Sequence, residues 1–169
     1  YEETLEDPGL ITPGERGVMH KSAASIVMKI MYGARMARFD LLRAVQGLAR
    51  SISKWSPLND LELHRLVCYI NSSKGKRMCG WVGDSMDAIH ATQFSDSDYA
   101  GCTITKRSTS GGMAILKGKN TGFPIAAVSK RQSVVSTSTT EAELTAAQFN
   151  LHRTGLPIGQ PWGDIVRSH

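Results

Sequence analysis

FSDSDYAGCTITKRSTSGGMAILKG (residues 94–118) and SKRQSVVSTSTTEAELTAA (residues 129–147) hold the reading that decides the fold of this 169-residue chain. Ile89 to Asp98 reads as a strand ending in Asp96 and Asp98, which alternation puts on one face. Gly111–Leu116 (GGMAIL) supplies a second strand and Lys117-Gly118-Lys119-Asn120 a turn. Phe123–Ser129 (FPIAAVS) supplies a third strand, where Pro124 suits an edge or a strand start. Three successive strands with short connections make an antiparallel meander. Ser138 and Glu141, three residues apart, have the spacing of a capping box and open a helix. Glu141 and Glu143 then point about 200° apart on that helix, so only one can face a site on the sheet. Carboxylates at a strand end and on the following helix are the oxygen ligands a magnesium site needs. The Ser136–Thr139 run reads as capping chemistry, with no His–Asp pairing to make a nucleophile of it.

Upstream, the pattern turns helical. Residues 1–21 are acidic at the front and broken by Pro8, Gly9, Pro13, Gly14 and Gly17, which reads as a linker or arm. From Ser22, Ile26, Ile30 and Gly33 fall on one side of a helix, with Val27 and Met31 beside them. Asp40 is placed to cap a second helix over 41–53, and Asn59 or Asp60 to open a third over about 59–72, with Pro57 punctuating between them. RMCGWV (77–82) has the composition of a strand, and Asp84 and Asp87 read as turn residues. The expected class is therefore α+β. It comprises a linker (1–21), a helical segment (22–75), a strand-and-helix domain (76–155) and a tail (156–169) in which Gln-Pro-Trp-Gly reads as a turn.

Composition narrows the function classes. A net charge of +5, from 20 basic and 15 acidic residues, favours a polyanionic partner without requiring one. Arg35, Arg38, Arg43, Arg50, Lys54 and Arg65 recur along the helices; they suit either a nucleic-acid surface or ordinary solvated faces. Cys68, Cys79 and Cys102 are odd in number and lack CxxC spacing, so they read as isolated reduced thiols in an intracellular protein, cytoplasmic or nuclear. The sequence shows no signal peptide and no apolar run long enough to span a membrane, so no membrane partner is expected.

Four motifs occur in order: SDSDYAG (95–101), KRSTSG (106–111), SKRQ (129–132) and STTEAE (138–143). In this they resemble the ribonuclease H domain of copia-type LTR-retrotransposon polyproteins. Tyr32, Ala34, Arg38-Phe39-Asp40, Ala44-Val45, Leu48-Ala49-Arg50 and Leu66–Ile70 resemble the segment that joins polymerase to ribonuclease H there, with Phe39 where that family has proline. The resemblance implies an incomplete ribonuclease H-like fold. It implies two-metal hydrolysis of RNA in RNA–DNA hybrids, with two Mg2+ (or Mn2+) ions. Asp96 and Glu143 would be the catalytic metal ligands, and Asp98 and Asp164 the further carboxylates to consider, although Asp98, followed by Tyr99-Ala100-Gly101, reads rather as the opening of a turn. Lys106, Arg107, Lys130 and Arg131 would contact nucleic acid. The implied partners are a hybrid or other nucleic acid, and the remainder of a reverse transcriptase polyprotein. The family's third ligand, an aspartate in a D-N pair after the helix, has no match; Asp164 is the carboxylate available. Three readings follow: a ribonuclease H, a degenerate module that grips nucleic acid without cutting, and an inert fragment.

Overall fold

The computed structural model describes residues 15–102 and 105–168, so most of the expected linker lies outside the described residues. The chain forms two compact units. One takes in residues up to 33 and 43–76, the other 34–42 and 77 onward.

The first unit is helical. Val18–Lys21 is a short 3-10 turn, followed by α1 (Ala23–Met36), α2 (Leu42–Ser51) and α3 (Pro57–Ser72). Within it Ala23, Val27, Met31, Val45, Leu48, Trp55, Leu63 and Leu66 are buried. The expected punctuation at Pro57 is instead the first residue of α3. Proline is preset for that position because its missing N–H would be unpaired there anyway. Asn59 does not open the helix but serves it from within, its side-chain oxygen accepting from Ser56 N at 3.1 Å. Asp60 fastens the incoming chain. Its carboxylate accepts from Val18 N (2.6 Å), Met19 N (3.2 Å) and the Trp55 indole (2.7 Å). The chain passes so close that a β-carbon on Gly17 would lie 2.6–2.8 Å from Ser56 O, Asp60 and Trp55.

The second unit is a three-stranded antiparallel sheet in the order β1 (His90–Asp98), β2 (Thr109–Lys117), β3 (Gly122–Arg131), followed by α4 (Thr139–Asn150). The meander, the helix and the α+β class are as the sequence suggests. RMCGWV differs: it contributes only one bridge, Trp81 to Gly122. Helix α4 packs on the sheet face that carries Ser97 and Ser110. Ala142 and Ala146 face inward with no exposed surface, and the covered face of β2 presents Gly112 and Ala114. Small residues on both surfaces let the helix approach closely. A β-carbon on Gly112 would sit 2.2–2.7 Å from the Asn150 side chain. Among these small residues the buried polar groups Gln132, Ser110 and Asn150 Nδ2 are hydrogen-bonded, as burial requires.

The tail also differs from expectation. A π-helical turn over Leu151–Gly155 leads into α5 (Leu156–Arg167), which contains Gln-Pro-Trp-Gly. Pro157 stands in the first turn and Pro161 within the helix. Ile158, Trp162 and Val166, four residues apart, form a half-buried line, and the Trp162 indole donates to Ile89 O at 3.1 Å. That periodicity outweighs the local cost of Pro161. No helix among the described residues is long and apolar enough to cross a membrane.

Candidate nucleic-acid interface

Asp96 pairs with Gly111 and Ser97 with Ser110 across β1 and β2. The Gln132 amide reaches Ser97, Ser110 and the Ala142 carbonyl together, so Ser97 and Ser110 point toward α4. Alternation therefore turns Asp96 and Asp98 to the other face. Glu143 is exposed on the flank of α4, on the covered side of the sheet. Asp98 is occupied: its carboxylate accepts from Thr109 N and closes the start of β2 against the end of β1. Glu141 reaches back one residue beyond the N-cap. It accepts from Thr137 N (2.7 Å) and Thr137 Oγ1 (2.8 Å), while Ser138 Oγ accepts from Glu141 N (3.2 Å). Asp164, on α5, lines an open cleft of about 730 Å3 with Ala91, Gln93, Gln160 and Arg167.

Magnesium takes several oxygen ligands in one place. Asp96 and Glu143 are set on different sides of the sheet, and among the described residues no three His, Cys, Asp or Glu side chains gather as a metal group. The residues present do not fit a two-metal centre.

The cations are arranged differently. Thr109 pairs with Arg131 and Ser110 with Lys130, and Gln132 N donates to Ser108 O. Lys106 and Arg107 immediately precede this start of β2, so all four candidate cations meet at one end of the sheet. Lys106 is exposed on a turn whose N–H donates to Cys102 O at 2.7 Å. Both Ala100 (φ 52°) and Lys106 (φ 53°) adopt the left-handed backbone there. Such conformations are uncommon for residues with a β-carbon. Lys130 and Arg131, adjacent on a strand, point to opposite faces. Lys130 Nζ sits 5.0 Å from the Phe149 ring centroid on the covered side, leaving Arg131 to the open one.

Several motif residues prove to be structural. Ser108 Oγ accepts from Ala100 N, Gly111 O accepts from Asn150 Nδ2 at 2.7 Å, and Gln132 joins β1, β2 and α4. The expected turn residue Asp84 reaches across to the β2–β3 turn, accepting from Asn120 N (2.7 Å) and Thr121 Oγ1 (2.7 Å).

These bonds set a pH response. The Thr121 hydroxyl, foremost, holds Asp84 below its ordinary range; the Ser85 hydroxyl does so for Asp87, and the Thr137 N–H for Glu141. A lowered folded-state value stabilises above the unfolded one and loses that contribution as pH falls through the folded one. The urea midpoint should therefore drop from neutrality to about pH 3, and drop less in Asp84→Asn/Glu141→Gln, whose groups no longer titrate.

The chain is 34% identical over 132 residues, 75% of its length, to the uncharacterized mitochondrial protein AtMg00810 of Arabidopsis thaliana. It spans 43% of that protein's length. No family model matches the chain, and no solved structure matches it.

Proposed function

We propose that this chain is a ribonuclease H-like segment of a copia-type retrotransposon polyprotein that holds nucleic acid at the basic end of its sheet without cutting it. The four ordered motifs support the lineage. The observation that carries the binding role is the meeting of Lys106, Arg107, Lys130 and Arg131 at one end of the sheet, where Asp96 and Asp98 also lie but Glu143 is on the other face. Neutralising phosphates releases counterions, so affinity for an RNA–DNA hybrid falls steeply with salt, by a log–log slope of about 0.7–0.9 per contact.

The test is hybrid binding and cleavage with Mg2+ or Mn2+ present. Wild type and Asp96→Asn should bind alike, Lys106→Glu/Arg107→Glu should bind at least about tenfold more weakly, and none should cleave. Cleavage lost in both Asp96→Asn and Glu143→Gln would replace this reading with the hydrolytic one. Folded protein that neither binds nor cleaves would make the segment a relic.

A further inference from the structure

The outward side of α3 has an unusual chemistry for a solvent-facing helix. Asn59, Leu63 and Leu66 face inward. Leu61, His64 and Cys68 fall along one line on the opposite side, where charged residues are usual. All three are exposed, Leu61 by 51%. His64 and Cys68 are one turn apart and in contact: Cys68 Sγ lies 3.7 Å from His64 Nε2 and 3.9 Å from Nδ1.

An imidazole and a thiol four residues apart on a helix are a soft-metal ligand pair. In a tetrahedral zinc site with Zn–S of about 2.3 Å and Zn–N of about 2.0–2.1 Å, sulfur and nitrogen stand about 3.6 Å apart. The pair already stands at that separation, and turning the exposed ring aims a nitrogen at a shared ion. Two ligands leave a zinc ion two short of the four it takes. Among the described residues no third His, Cys, Asp or Glu joins them. A second copy placed by a two-fold axis supplies the same two groups, because an isologous interface pairs a patch with itself.

We propose that His64 and Cys68 are one half of a zinc-class metal site, completed by the same pair on a second copy of this chain. The ion would be held by two thiolates and two neutral imidazoles. Each Cys68 thiol passes its proton to solvent as its S–Zn bond forms, so affinity rises with pH. Leu61, one turn away on the same line, gives the two helices an apolar contact beside the ion. The inference is independent of the nucleic-acid reading.

The full chain carrying Cys79→Ser/Cys102→Ser, which leaves Cys68 as its one thiol, is titrated with Co2+ and followed by absorbance. Mass is measured by light scattering with Zn2+ and then with EDTA. The expected result is a thiolate-to-cobalt charge-transfer band saturating at one ion per two chains, and a mass that doubles with Zn2+ and halves again with EDTA. His64→Ala and Cys68→Ala abolish both, and Cys68→His keeps the Zn2+-dependent dimer without the charge-transfer band. All four residues changed are exposed or half-exposed, and unchanged circular dichroism confirms folding. Absence of the band in the parent, a band or dimer that survives either alanine variant, or saturation at one ion per monomer overturns the proposal.

Discussion

Gly112→Ala should destabilise the sheet-and-helix unit by about 3 kcal/mol, a large share of the stability of a small domain. The new methyl would lie 2.2–2.7 Å from the Asn150 side chain, which has no exposed surface to swing into. Moving that amide breaks its 2.7 Å bond to Gly111 O and pushes α4 off β2. Asn150→Ala should be milder, about 1 kcal/mol, because it removes one hydrogen bond together with the amide oxygen, which is buried without a partner among the described residues. The orientation of that amide is fixed by Gly111 O, since the flipped form would set two oxygens face to face. The double variant should recover most of the Gly112→Ala loss, giving a coupling of opposite sign to the single effects. Urea unfolding followed by hydrogen exchange at β2 amides measures all three. Equal losses in the single and double variants would show that the glycine is needed for something other than clearance.

Gln132→Ala should cost about 2–4 kcal/mol through a cavity and lost hydrogen bonds. The Gln132 side chain is nearly buried. Its nitrogen lies 2.8 Å from Ala142 O, 3.1 Å from Ser110 Oγ and 3.2 Å from Ser97 Oγ, and its oxygen accepts from Ser136 Oγ at 3.3 Å. Truncation leaves the Ala142 carbonyl with its bond inside α4 alone and removes the donor that ties the two serine hydroxyls to it. Gln132→Glu tests the polarity of the arrangement at nearly constant shape. The serine hydroxyls can rotate to donate, but the carbonyl cannot, and a buried carboxylate must also shed its hydration. Its folded-state pKa is expected to rise, so the loss should be greatest at neutral pH and shrink as acid protonates the side chain. A Glu variant as stable as wild type at neutral pH would mean that water reaches this layer and solvates the carboxylate.

The elements with strong periodicity were legible from the sequence: three strands in a meander, three N-terminal helices and a capped fourth. Their ends were less so. At Pro57 a residue that reads as a break is a preferred first helical position. In Gln-Pro-Trp-Gly, turn residues drew attention from the four-residue spacing of Ile158, Trp162 and Val166, whose partner Ile89 is 73 residues from Trp162. The candidate site was legible as a set of residue types but not as an arrangement. Basic residues scattered over 106–131 meet only because β2 and β3 share a register. Alternation sets Asp96 and Ser97 on opposite faces of β1, but that α4 covers the Ser97 face emerges only through the bonds of Gln132, 35 residues on from Ser97. A search for paired cysteines passes over His64 and Cys68, because their relation is a helical repeat between unlike ligands.

The grip of Asp84 on the β2–β3 turn has a consequence for the order in which the chain folds. The hairpin from Thr109 to Arg131 turns through Lys119–Asn120, and the side chain that braces this turn, beyond its own Gly118 N to Thr121 O bond, comes from a residue 36 positions before Asn120. During synthesis Asp84 leaves the ribosome first, so the hairpin closes onto a clasp that is already waiting. Taken out as an isolated peptide, or moved ahead of Asp84 by circular permutation, the same hairpin would have to nucleate on its own turn and should fold more slowly, even with every strand contact retained.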